Sequence, residues 1–247
     1  MGGASVVRVG AVADLHYRRS SQGELVSILG QASQSCDVLL LPGDLTDHGL
    51  EEEAQMLARD LAATVRVPVL AVLGNHDYEG GQPELVARIL TDAGVFVLDG
   101  DAQEVSGIGF AGVKGFAGGF GKHALGSWGE PVVKQFVQEA LNEALKLEKA
   151  LARLRTPHRI ALLHYAPVQS TVEGEPPEIY TYLGSSRLEE PLSRYRVTAV
   201  FHGHAHRGVP EGRTAAGVPV FNVSLPLLRR TRPDAPPFRV FELPVPD

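Results

Sequence analysis

Residues 69–77 read VLAVLGNHD, an apolar, β-branched run that breaks off into Gly-Asn-His-Asp. The first five residues are typical of a buried strand, and the four that follow place polar groups where the strand ends. Four further runs have the same apolar character, at residues 6–13, 38–41, 160–163 and 198–201. Each is followed within three residues by an Asp or a His. The sequence therefore predicts five buried strands, each ending in a side chain able to bind a metal.

Segments with helical periodicity lie between and after these runs. They cover residues 24–34, 51–65 and 83–90, and a longer helix is predicted to begin at Pro131 and to end near Arg155. Proline suits the first position of a helix, and the apolar residues after it recur on one face. Short alternating stretches near residues 102–111 and a hairpin signal at 217–219 predict a second sheet. We expect an α/β fold, a four-layer α/β/β/α sandwich with two mixed β-sheets, in a single domain over residues 1–247.

The composition excludes several classes of protein. Hydrophobic residues make up 44% and charged residues 21% of the 247, which is typical of a soluble globular chain. The apolar runs are much shorter than the roughly 20 residues that a membrane-spanning helix needs, so we expect no attachment to a membrane. The formal net charge of −6 disfavours binding to extended nucleic acid, which requires a basic surface.

The single cysteine, Cys36, limits the kind of metal site that this chain can hold. It excludes internal disulfides and any cluster of thiolate ligands, so a metal ligand here must be an oxygen or an imidazole nitrogen. A reducing compartment fits best with this cysteine usage, and we therefore expect a cytoplasmic protein.

Candidate ligands stand at the ends of all five predicted strands. They are Asp14, His16, Asp44, Asn75, His76, Asp77, His164, His204 and His206. Ligands of an open α/β sheet bind beyond the carboxyl ends of its strands, so these side chains would meet in one crevice. Asp14 and His16 are two residues apart, as are His204 and His206, and on extended backbone both members of such a pair point to the same side. Glycines before three of the motifs let the backbone approach closely.

These motifs resemble the five signature blocks of a known family, the calcineurin-like metallophosphoesterase superfamily. In chain order they are Asp14-x-His16, Gly43-Asp44, Gly74-Asn75-His76-Asp77, His164 and Gly203-His204-x-His206. The resemblance spans about residues 8–224 and looks most like the cyclic-nucleotide phosphodiesterase branch. One departure is Tyr165, which stands after His164 where that branch more usually shows a second histidine. The resemblance implies a dimetal site at the carboxyl ends of the strands of a four-layer sandwich.

The resemblance also implies a role for each residue. The first metal would be bound by Asp14, His16 and His206, and the second by Asn75, His164 and His204. Asp44 would bridge both ions. His76 would contact the substrate as the catalytic histidine, and Asp77 would orient it.

The chemistry of such a site agrees with hydrolysis of a phosphate ester. Two divalent cations roughly 3.5 to 4 Å apart lower the pKa of a shared water and clamp the phosphate oxygens. His76 is placed to protonate the leaving alkoxide. Imidazole, carboxylate and amide ligands together favour Mn²⁺ or Fe²⁺, with Zn²⁺ and Co²⁺ as alternatives.

We therefore expect a metal-dependent phosphoesterase that hydrolyses a small phosphodiester, nucleotide-like or other. Three alternatives stay open. The first is a phosphomonoesterase or protein phosphatase, and the second is a short-strand nuclease, because a metal centre alone can recruit a short strand. The negative net charge disfavours a processive nuclease on long polyanions, unless Arg229, Arg230 and Arg232 line the cleft. The third is a binding scaffold that keeps the fold without catalysis.

Some neighbouring residues have two interpretations. Asp47 precedes a predicted helix and is interpreted as its N-cap, the alternative being an acceptor for a ligand histidine. His202 shares a strand face with His204 and is interpreted as packed rather than as a further ligand. The irregular segments 115–129 and 172–179 are of the kind that cover active sites and select substrates, or they are surface loops without a role.

Overall fold

Two β-sheets form the centre of the structure, a computed structural model that describes residues 4–246. The strands within those residues are β1 (Ala4–Ala11), β2 (Val38–Pro42), β3 (Val69–Val72), β4 (Val95–Val97), β5 (Asp101–Val105), β6 (Ile108–Val113), β7 (His158–Leu163), β8 (Ala199–His202), β9 (Glu211–Arg213), β10 (Pro219–Asn222) and β11 (Arg239–Pro246). All five strands predicted from the apolar runs are present, because β-branched and aliphatic residues fit a pleated surface that is buried on both faces.

Helices connect the strands and cover the outer faces of the sheets. They are α1 (Gln22–Ser35), α2 (Glu51–Thr64), α3 (Asn75–Glu79), α4 (Pro83–Asp92), α5 (Pro131–Arg153), α6 (Tyr180–Leu183), α7 (Glu189–Arg194) and α8 (Leu225–Thr231). Proline occupies the first position of α4 and of α5, where its missing N–H would have no partner in the helix. Within the described residues, no helix is both long and apolar enough to cross a membrane.

Each sheet has a parallel centre and at least one antiparallel edge. The first sheet has the order β11-β1-β2-β3-β4, with β11 antiparallel to β1 and the other pairs parallel. The second has the order β5-β6-β7-β8-β10-β9, with antiparallel pairs at its two edges. The expectation of two mixed sheets is confirmed. Parallel pairing is what brings the carboxyl ends of successive strands to one edge of each sheet.

Alternation along the strands divides the apolar residues into separate layers. In β2, Val38 and Leu40 face the second sheet, whereas Leu39 and Leu41 face the helices α1, α2 and α4. The outer face of the second sheet packs on α5 through residues that include Leu147. Helices therefore lie outside two facing sheets, which confirms the predicted four-layer sandwich.

The apolar layer between the two sheets is expected to contribute strongly to the stability of the fold. Leu40 is fully buried there, and Leu40→Ala removes apolar contacts on a strand that cannot collapse around the cavity. We expect the free energy of unfolding to fall by about 2–5 kcal/mol, measured by urea denaturation. Leu145→Ala on α5, where the side chain is 50% exposed, is the control and should change stability by less than about 0.5 kcal/mol. Equal effects of the two variants would contradict the layer assignment.

Candidate metal centre

The residues predicted to bind metal from strand-end motifs converge at one edge of the sandwich. Asp14, Asp44 and Asn75 follow β1, β2 and β3 of the first sheet, while His164 and His204 follow β7 and β8 of the second. The site therefore lies where the carboxyl ends of both sheets meet. His16 and His206 join it from two residues beyond the first member of each pair.

One group of side chains forms around Asp14. The ligand atoms of Asp14, His16 and His206 lie within 4.8 Å of one another, so a single ion could contact all three. His206 Nε2 is 3.1 Å from Asp14 Oδ1. Two imidazoles and one carboxylate are a common ligand set for a divalent transition metal.

A second group forms around His164. The ligand atoms of Asp44, His164 and His204 also lie within 4.8 Å of one another. The amide oxygen of Asn75 is 2.9 Å from His164 Nε2, so it belongs to the same group. The other ring nitrogen of His164, Nδ1, is 3.1 Å from the carbonyl of Pro42, which can only accept and therefore holds the proton on Nδ1. Nε2 is left with a lone pair facing the group.

Asp44 lies between the two groups. Its Oδ1 is 3.3 Å from His164 Nε2, and its Oδ2 is 3.9 Å from His16 Nε2. The two oxygens of one buried carboxylate thus face histidine nitrogens that belong to different groups. The bridging role of Asp44 stays a prediction, and this position is compatible with it.

The backbone of the site adopts rare conformations. Asp14, His16, Asp44 and His204 have φ angles of 57°, 43°, 48° and 69°, in the left-handed region that residues with a Cβ seldom enter. Hydrogen bonds hold these turns in place, including Asp14 N–H to the carbonyl of Gly43 and His16 N–H to the carbonyl of Asp44, each at 3.0 Å. Strain of this kind concentrates at functional sites, because the surrounding structure must fix it.

Two glycines permit the close approach of the motifs to one another. A Cβ at Gly74 would lie 2.1 Å from Asp44 Oδ1, and a Cβ at Gly203 would lie 2.3 Å from Asp14 Oδ2. Both distances are far below van der Waals contact. The expectation that these glycines let backbone approach the site is confirmed.

The electrostatics of the site favour bound cations. Burial, together with the charges of Asp14 and Asp77, raises the pKa of Asp44 to about 9. Burial lowers the pKa of His204 to about 4 and that of His164 well below its ordinary value, so both rings are neutral, as metal ligation requires. His16 Nε2 is buried without a hydrogen-bond partner among residues 4–246. These groups fit divalent cations, which would supply the positive charge that ionised Asp44 needs.

His76 presents one ring nitrogen to the site. Its Nδ1 lies 2.7 Å from the carbonyl of Asp47, which accepts a hydrogen bond and therefore fixes the proton on Nδ1. The ring stands edge-on to His16 with a centroid distance of 4.5 Å, and its side chain is 35% exposed. Nε2 is thus left free to exchange a proton with a bound molecule.

The expectation that Asp77 orients His76 is wrong. The Asp77 carboxylate accepts hydrogen bonds from Leu45 N–H, Thr46 N–H, the Thr46 hydroxyl and Gly74 N–H. Within the described part of the chain it makes no hydrogen bond to the ring of His76. The carboxylate points into the protein at the start of α3, where it satisfies buried donors of the loop after Asp44. Asp77 therefore ties the ends of β2 and β3 together.

The predicted helix N-cap at Asp47 is also wrong. Helix α2 begins at Glu51, and Asp47 lies too far before it to accept from its first amides. Its carboxylate instead lies 3.5 Å from His16 Nδ1 and 3.2 Å from Arg18, which agrees with the alternative of an acceptor for a candidate ligand histidine.

His202 is packed, as expected: it is fully buried, and its two ring nitrogens contact Thr171 and the carbonyl of Gly203.

A family model agrees with this geometry. The model for calcineurin-like phosphoesterases matches residues 7–208, which contain all the side chains described above. The chain belongs to the calcineurin-like phosphoesterase family. It is therefore a metal-dependent phosphoester hydrolase, and the recognition from sequence motifs is confirmed.

Solved structures share the fold of this phosphoesterase at low sequence identity. Phosphopantetheinyl hydrolase (PptH) from Mycobacterium tuberculosis is 15% identical with a TM-score of 0.65, covering 98% of this chain and 97% of that one. TT1561 of Thermus thermophilus is 15% identical with a TM-score of 0.54, covering 97% and 99%. A putative 5'-nucleotidase from Staphylococcus aureus is 14% identical with a TM-score of 0.56, covering 88% of this chain but 48% of its own. No curated protein matches the sequence significantly.

Sequence reasoning did not assign a place in the site to Tyr165. Its ring lies 4.5 Å from that of His204 and 5.4 Å from that of His164, and it is largely buried. Burial raises the pKa of its hydroxyl above the ordinary value, so the group stays protonated. The ammonium of Lys114 lies 5.4 Å from the same ring. The signal was the departure from the family pattern at this position, which replaces a histidine with an aromatic side chain of another chemistry.

The two irregular segments of this phosphoesterase flank the site. In segment 115–129, Gly118 N–H donates to the carbonyl of Thr181 at 2.8 Å, just before Tyr182, whose carbonyl is 3.2 Å from His204 Nε2. In segment 172–179, Glu175 accepts from the N–H of Arg207, next to His206, at 2.6 Å. Segment 172–179 therefore contacts the neighbour of a candidate ligand, and segment 115–129 contacts the residue before Tyr182, which itself contacts His204.

The close approach of Gly74 to Asp44 allows the metal centre to be tested by mutation. Gly74→Ala places a methyl group against Asp44 Oδ1 and should weaken Mn²⁺ binding about 10- to 100-fold, measured by calorimetry on metal-stripped protein. Gly23→Ala is the control, because a Cβ at Gly23 meets nothing within 4 Å and the residue lies inside α1. Unchanged affinity in Gly74→Ala would show that Asp44 is not held at the metal centre.

Proposed function

We propose that this phosphoesterase hydrolyses a small phosphodiester at a centre of two divalent metal ions. The observation that carries the proposal is the carboxylate of Asp44, which faces His164 with one oxygen and His16 with the other. Such an arrangement suits one ligand shared between two ions. It also explains why the two groups of side chains share one buried acid between them.

The proposed ligand sets follow the two groups. Asp14, His16 and His206 would hold the first ion, Asn75, His164 and His204 would hold the second, and Asp44 would be shared between them. The mixture of imidazole, carboxylate and amide oxygen favours Mn²⁺ or Fe²⁺, with Zn²⁺ or Co²⁺ as alternatives. When bound, such a pair supplies an activated water and positive charge to the phosphate oxygens.

His76 is proposed to donate a proton to the leaving oxygen. Its Nδ1–H stays bonded to the carbonyl of Asp47 throughout, so the ring keeps its orientation while Nε2 gives up a proton. Asp77 acts at a distance by fixing the loop that carries Asp44. The carboxylate of Glu79 lies 3.6 Å from His76 Nδ1 and 3.2 Å from His48 Nδ1.

The charge around His76 supports a diester over a monoester. A diester carries one negative charge, whereas a monoester carries up to two near neutral pH. Asp47 and Glu79 stand beside His76, so a second negative charge on the substrate would meet like charge at close range. A phosphomonoester is the second candidate, and the ion pair of Arg18 with Asp47 at 3.2 Å favours it by neutralising part of that charge.

A processive nuclease is less well supported. Arg229 pairs with Glu24, and Arg232 donates to the carbonyl of Phe238, so both point toward groups outside the candidate ligand sets. Arg230 contacts the carbonyl of Gly208 near His206 and is a single cation. The net charge of −6 also opposes a long polyanion. We retain a cytoplasmic location as part of the proposal, on the basis of the single, buried Cys36.

Two chromogenic substrates test the proposal. Metal-stripped protein with Mn²⁺ restored should hydrolyse bis-p-nitrophenyl phosphate faster than p-nitrophenyl phosphate, measured by release of nitrophenolate. Asp44→Asn, which keeps the shape of the side chain but removes its charge, should lose the metal-dependent rate. Asp92→Ala, an exposed carboxylate at the end of α4, is the control and should retain it. Turnover of the monoester alone would replace the diester with the second candidate.

Proton donation by His76 predicts a dependence on the leaving group. His76→Ala should lower kcat about 10²- to 10⁴-fold for a diester with an alkyl leaving group, which needs a proton, and much less for one with a nitrophenolate leaving group. His158→Ala, at the amino end of β7, is the matched control. An equal loss for both leaving groups would assign His76 to substrate contact rather than to proton transfer.

A further inference from the structure

An apolar pocket opens beside the candidate metal centre. It has a volume of about 190 Å³, and we call it the side pocket; its lining residues are Leu125, Val132, Val133, Phe136 and Tyr182. Among these five side chains, the hydroxyl of Tyr182 is the one polar group. Leu125 comes from segment 115–129, the next three from the first turns of α5, and Tyr182 from α6.

The side pocket and the candidate metal centre share one residue, Tyr182. The carbonyl of this residue lies 3.2 Å from His204 Nε2, while its side chain forms a wall of the side pocket. A series of ring contacts runs between the same two points. The successive centroid distances are 4.5 Å for His204–Tyr165, 6.0 Å for Tyr165–Phe116, 4.9 Å for Phe116–Phe136 and 6.5 Å for Phe136–Tyr182.

Large apolar side chains at this place are exposed to solvent. Val132 is 69% exposed and Tyr182 is 60% exposed, and both line the side pocket. Exposed apolar side chains that share one concave surface indicate a binding site rather than random surface composition. Their exposure beside a polar metal centre suggests that one ligand contacts both.

The walls of the side pocket are held by hydrogen bonds that cross between its segments. Gly119 N–H donates to the carbonyl of Gly184 at 2.9 Å, and Leu125 N–H donates to the carbonyl of Gly118 at 2.7 Å. The guanidinium of Arg187 donates to the carbonyl of Leu125 at 2.6 Å. The pocket is therefore formed before a ligand arrives, which lowers the entropic cost of binding.

Size and chemistry define the occupant. A dry cavity of roughly 150 Å³ holds a benzene ring, so about 190 Å³ accommodates one aryl ring or a short alkyl chain. A nucleobase has donors and acceptors along its edges, and among the five lining side chains the hydroxyl of Tyr182 is the one polar partner for them. We infer that the side pocket binds an apolar ester group, alkyl or aryl, of a substrate whose phosphate lies at the metal centre. This inference rests on the proposed function.

Phosphonates that differ only in their apolar group test the inference without turnover. Methylphosphonate and hexylphosphonate are titrated into Mn²⁺-loaded protein by calorimetry. Hexylphosphonate should bind at least about tenfold more tightly, with a more negative heat-capacity change, because methylenes enter the side pocket. Val132→Glu should bring the ratio of the two affinities close to one. Leu145→Glu introduces the same charge on the same helix at a residue outside the side pocket, and should leave the ratio unchanged.

Two results would overturn the inference. One is equal affinity for the two phosphonates in the unaltered protein, and the other is an unchanged ratio in Val132→Glu. If the affinities are equal and sedimentation shows that Val132→Glu abolishes self-association, the exposed residues form a contact between two copies of the chain instead. Absence of diester hydrolysis with the hexyl preference intact would reject the proposed reaction and support the side pocket.

Discussion

The position of the Asp44 carboxylate is the constraint on which the rest of the site depends. It is buried at the end of β2, faces a histidine from each group, and accepts the amide of His76 at 2.9 Å. A buried carboxylate in such a place is costly unless positive charge and hydrogen bonds compensate it. The left-handed backbone at Asp44, the hydrogen bonds from the next loop to Asp77 and the absence of a side chain at Gly74 all serve to hold it there.

Residues from both sheets of the sandwich form the candidate metal centre. Asp44 belongs to the first sheet and His164 to the second, and the bond from His164 Nδ1 to the carbonyl of Pro42 crosses between them. Each of the two groups combines side chains from both sheets, so the geometry within each group depends on the apolar layer between the sheets. Mutations in that layer are expected to affect metal binding as well as stability, because interiors packed at high density transmit strain.

Much of this could be predicted from the sequence, because the strands and the candidate ligands have local signatures. An apolar run that ends in a polar motif specifies both a strand and the edge at which its ligand lies. The errors concern contacts between residues far apart in sequence. Asp77 bonds to Leu45 and Thr46 rather than to its neighbour His76, and the Asp47 carboxylate lies near His16, 31 positions earlier in the chain. The side pocket likewise joins segments whose sequences carry no shared pattern.

Anomalous diffraction from crystals soaked in Mn²⁺ would show whether two metal ions share the carboxylate of Asp44. The expected result is two peaks at the manganese edge about 3.5–4 Å apart, one on each side of the Asp44 carboxylate, with His16 and His164 on opposite ions. A single peak, or two peaks that do not both contact Asp44, would contradict a shared Asp44.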